Sequence, residues 1–140
     1  MSDSFDGKQA AHRHHEAAKT LDQQAAPQRA AAAYLFGLAA ECAVKAMLEA
    51  SGLRPSDGSG RSDPYWAHFP ELKRLLADRL EGRNAAQLAR FTNDAFLSEW
   101  AIGIRYAPNA EVLEGQAREK RYERWKRDAD TAIQAMQEVA

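Results

Sequence analysis

Five side chains in this sequence have the types and the spacing to share chemistry: Glu41, Lys45, His68, Arg105 and Tyr106. Glu41 and Lys45 stand at i and i+4, the favourable order for an ion pair on one helical face. A carboxylate beside an ammonium and an imidazole can form a polar cleft that meets a ligand. The plainer use of Glu41 and Lys45 is an internal pair that orients helices, with His68 or Arg105 joining it. His68 precedes Pro70 at a predicted helix start, where capping or packing is its simplest role. Arg105 stays protonated, so it can hold a phosphate through its planar fork of donors but cannot serve as a base.

Three other groups invite a chemical reading. His12, His15 and Glu16 share a face at i, i+3 and i+4, a spacing that can ligate a cation. No second ligand set accompanies them, so a solvated polar face is expected and no metal or other cofactor is assigned. Residues 118–127 carry six basic side chains, with Arg118, Arg121, Arg124 and Arg127 around Tyr122 and Trp125. Basic residues beside aromatics can bind phosphates and stack bases. Tyr122 and Trp125 also fit a core stripe, which would leave the arginines on a solvent face. Cys42, the one cysteine, can make neither an internal disulfide nor a thiolate zinc site, and reads as a buried small hydrophobe in a reducing compartment.

The elements that position these residues follow from composition. The 140 residues suit a single domain, and a net charge of −1 gives no global field to attract a polyanion. There are 29 alanines against nine β-branched residues, the composition of helices and not of strands. The chain is expected to be all-α, an up-and-down antiparallel bundle of four to five helices. A first helix is predicted from Asp3 or Ser4 to about Gln24. A central one, apolar nearly all round in its first half, runs from Pro27 to Ser51. Residues 52–66, rich in glycine, proline and serine, read as a flexible loop. Pro70 opens a third helix with Leu72, Leu75, Leu76 and Leu80, and Asn84 caps a fourth carrying Leu88, Phe91, Ala95 and Phe96. After a break over Trp100–Asn109, a last helix starts near Glu111 or Glu114. Gly37, with Ala33 and Ala40, permits close approach of another element, inside the monomer or across a dimer seam. No stretch reads as a membrane span and no signal-type apolar segment opens the chain, so a cytoplasmic protein is expected.

Three phrases in order resemble the HEPN domain family: AAYLFGLAAECAVKAML (Ala32–Leu48), HFPELKRLL (His68–Leu76) and W-x4-RY (Trp100–Tyr106), with HHEAAKTL (His14–Leu21) fitting the family's first helix. The resemblance implies a four-to-five-helix bundle that often dimerises, works in toxin–antitoxin, defence or RNA-processing settings, and sometimes pairs with a small nucleotidyltransferase. RNA-cleaving members resemble one another in an arginine followed, after four to six residues, by a histidine. Arg105 takes the arginine's place, but Ala110, Glu111 and Val112 stand where the histidine would be. The expectation is therefore a regulatory or binding subunit that engages RNA, a nucleotide or a partner protein without cutting. The alternatives are a metal-independent ribonuclease using Arg105 with an atypical base, Glu111 first, and a purely structural partner subunit.

Overall fold

The computed structural model describes residues 6–50, 67–79 and 85–139, so the expected loop at 52–66 lies outside the described residues. Among the described residues all regular structure is helical, as the alanine-rich composition predicts. Helix α1 spans Gly7–Asp22, and Asp6 caps it by accepting the Gln9 N–H at 2.9 Å. The cap is thus Asp6 and not Asp3 or Ser4. Only Gly7, Ala11, His15 and Ala18 of α1 are buried, a single narrow stripe.

Three residues separate α1 from α2 (Ala26–Ala50), so the two form an antiparallel hairpin. Pro27 falls in the first turn of α2, where its missing N–H costs nothing. Helix α2 is buried around most of its circumference, with Ala32, Ala33, Phe36, Ala39, Ala40, Ala43 and Val44 inaccessible or nearly so. Its length and apolarity would allow it to cross a membrane, which corrects the expectation that no stretch does. Here its most apolar window is 72% buried within the fold, as befits a core helix.

The long closing helix α6 (Gln116–Val139) covers another side of α2. Arg29 near the start of α2 pairs with Glu119 near the start of α6, and Phe36 meets Tyr122 edge-on at 6.1 Å. Helices α2 and α6 therefore run in the same direction. Asp22, at the end of α1, accepts the Tyr122 hydroxyl and pairs with Lys126 at 2.7 Å, while His15 reaches Asp130. These contacts set α1 antiparallel to α6.

Three shorter helices fill the remainder: α3 (Glu71–Arg79), α4 (Ala85–Ala89) and α5 (Asn109–Leu113). The expected fourth helix does not continue to Phe96. It tightens into a 3-10 turn at Arg90–Thr92, and Asn93 then turns extended, its side chain accepting the Ala95 N–H at 2.8 Å. Leu97 and Glu99 beyond it have φ of 48° and 70°, a left-handed region that costs non-glycine residues about 1–3 kcal/mol each. Contacts with α6 hold them there: the Leu97 N–H donates to Asp128 at 2.8 Å, and the Trp125 indole N–H donates to the Ser98 carbonyl at 2.9 Å. Gly115 at φ 95° separates the short α5 from α6, so the last helix begins at Gln116, two residues past the later of its two expected starts.

The kinked segment delivers Trp100 to α2. Its indole N–H donates to the Ala33 carbonyl at 3.0 Å, and its ring lies over Gly37 so closely that a Cβ there would stand 1.9 Å from a ring carbon. Within this chain, then, Gly37 admits a tryptophan ring rather than another helix.

Candidate functional site

The chemistry-bearing residues divide between two places along α2. At the first, Glu41 is 2% and Lys45 5% exposed, so both are core residues by burial. Their pairing distance is 3.4 Å. The Nδ1 atom of His68 lies 3.0 Å from each carboxylate oxygen of Glu41, and its ring remains about half exposed. A carboxylate that close is met by a proton on Nδ1, so the imidazole donates to Glu41. The segment that brings His68 here is fastened by its own backbone, with the Leu72 N–H donating to the His68 carbonyl at 2.8 Å.

Helix α1 adds two groups that sequence spacing gave no reason to include. His14 feels the Glu41 charge, and Arg13 acts on both His14 and Cys42. Burial first, then Arg13, holds the His14 pKa below its ordinary value, with Glu41 pulling the other way. Burial pushes the Cys42 thiol up to about 11, reinforced by Glu41, so it is protonated and unreactive at neutral pH.

The second place is the corner where the Ile102–Tyr106 3-10 turn meets the first half of α2. Arg105 lines one cavity with Tyr34, a residue two helical turns before Glu41, and its guanidinium lies 4.8 Å from the Tyr106 ring centroid. Tyr106 is 79% exposed, the one large hydrophobic side chain among the described residues left so open. Tyr34 itself is stacked on Trp100, with ring centroids 6.5 Å apart and planes 20° from parallel. Of the five residues singled out by type and spacing, the structure gathers Glu41, Lys45 and His68, and sets Arg105 with Tyr106 at this separate corner. His68, not Arg105, is the residue that joins the internal pair.

The basic stretch is occupied with the fold. Tyr122 and Trp125 are fully buried, so neither can stack a base. Arg118 donates to the Ala110 carbonyl at 3.2 Å, and Arg121 donates to those of Glu111 and Val112 at 3.1 Å, satisfying the open end of α5. Arg121 also covers the Trp125 ring at 4.6 Å, and Glu99 approaches Arg121 and Arg124 at 3.9 and 3.7 Å. Arg127 is exposed, and its charge acts on Asp128. Around His12, His15 and Glu16, the partner of His15 is Asp130 at 2.6 Å. Among the described residues no three metal-ligating side chains converge. No protein-family model, no curated protein and no solved structure matches this chain.

Proposed function

We propose that this chain is a HEPN-like binding module that holds single-stranded RNA on Arg105 and Tyr106 without cutting it. The observation that carries the reading is an exposed aromatic ring beside a guanidinium that no described carboxylate pairs. A phosphate can take the fork of Arg105, and a base can lie on Tyr106, the combination by which proteins hold single strands. Cutting would need a base beside Arg105, which remains protonated. Glu111, the expected substitute, does not line the pocket in which Arg105 stands.

The test is fluorescence anisotropy of an end-labelled mixed-sequence RNA at low salt in EDTA, followed by a gel for RNA integrity. Wild type should bind and leave the RNA intact, and Arg105→Ala or Tyr106→Ala should each weaken binding at least about tenfold. No binding by wild type, or equal binding by both variants, overturns the reading. Cleavage by wild type and not by Arg105→Ala replaces it with the ribonuclease. A dimer that Tyr106→Ala dissociates, with RNA affinity unchanged, makes this corner a protein contact instead.

A further inference from the structure

A cavity of about 200 Å³ opens beside Arg105, between the first turns of α2 and the start of α5. Pro27, Ala30, Tyr34 and Val112 give it apolar and aromatic walls, and Arg105 and Asn109 bring its polar groups. Among the described residues of the lining Arg105 alone is charged, and none of them repels an anion. The volume is below the roughly 300–1,000 Å³ of ordinary small-molecule pockets. It suits one flat heterocycle, with the attached sugar and phosphate left outside, where Arg105 is exposed.

The walls are also held in place. Tyr34 is backed by Trp100, whose indole is hydrogen-bonded to Ala33 and seated on Gly37. Asn109 opens α5, the helix whose far end Arg118 and Arg121 secure to α6. An asparagine amide offers one donor and one acceptor side by side, the complement of adenine's N7 and its 6-amino group. We propose that this cavity takes a single adenine of the bound strand, with Asn109 reading that edge, Arg105 on the adjoining phosphate and Tyr106 under a neighbouring base. The inference rests on the RNA-binding reading and adds to it a preference for one base.

Three octanucleotides test it: U8, the same run with adenosine at its fourth position, and the same run with purine riboside there, which lacks the 6-amino group. Wild type should bind the adenosine oligonucleotide at least about fivefold tighter than U8, and the purine riboside should lose that advantage. Asn109→Ala should abolish the preference between the adenosine oligonucleotide and U8, and its thermal melt should confirm an intact fold. Equal affinity for all three oligonucleotides, or an undiminished preference in Asn109→Ala, overturns the adenine site and leaves RNA binding standing. Failure to bind any of them removes both.

Discussion

Two neighbouring turns of α2 anchor distant parts of the chain by opposite means. At Gly37 the helix has no side chain, and the fully buried Trp100 ring fills the space; at Glu41, four residues on, it buries a charge that His68 and Lys45 answer. The first junction is specified by shape, since only the absence of a Cβ admits the indole. The second is specified by pairing, because a buried carboxylate without partners is costly. The difference teaches that the helix can be apolar nearly all round and still address two segments separately. A misplaced apolar residue loses some contact area, whereas a misplaced charge loses its whole compensation.

If that contrast holds, the largest effect comes from breaking the charged junction on one side only. Glu41→Ala leaves Lys45 buried without its carboxylate and should destabilise the fold by about 3–5 kcal/mol in urea denaturation. The double change Glu41→Met with Lys45→Met removes both charges and should recover most of that loss, as well-packed apolar replacements of buried pairs do. A double variant as unstable as the single would mean that the charges do more than answer each other. Next in size is Gly37→Ala. The new methyl collides with the Trp100 ring and should cost about 1–3 kcal/mol, the range for overpacked cores. A larger loss than that of Glu41→Ala would reverse the ranking of charge over shape.

The smallest effect is a pH dependence confined to the charged junction. Burial and Arg13 hold the folded-state pKa of His14 below its ordinary 6.5, so the unfolded chain takes up that proton first. The contribution is intact above about pH 6.5, falls as pH drops through the window beneath it, and levels off below the folded value. His14→Gln should therefore lose less stability than wild type between about pH 7.5 and 5.5, measured as urea midpoints. An identical loss in both proteins would take His14 out of the comparison.

Much of this was legible along the chain. Pro27 placed the start of α2 to within one residue, and the i, i+4 spacing of Glu41 and Lys45 on a central helix pointed to a buried pair. His68 could be suspected because a histidine before Pro70 is free of helix interior constraints. The path after Phe91 was not legible. Leu97 and Glu99 are left-handed without being glycine, and the bonds that hold them come from Asp128 and Trp125, about thirty residues away. Local propensity carries no trace of such partners. The start of the last helix was legible to within two residues, since Glu114 was one of its two expected starts and α6 begins at Gln116, just past the helix-breaking Gly115. Asp130 as the partner of His15, across 115 residues of sequence, had no local signal at all.

The arginines of the last helix have a mechanical consequence. Arg118 and Arg121 rise from α6 and grasp the carbonyls of Ala110, Glu111 and Val112, so the five-residue α5 hangs from a helix more than four times its length. Val112 and Asn109 belong to that suspended piece and also wall the Arg105 cavity. The position of that cavity wall therefore depends on α6 as well as on α2, even though α6 contributes no side chain to the lining.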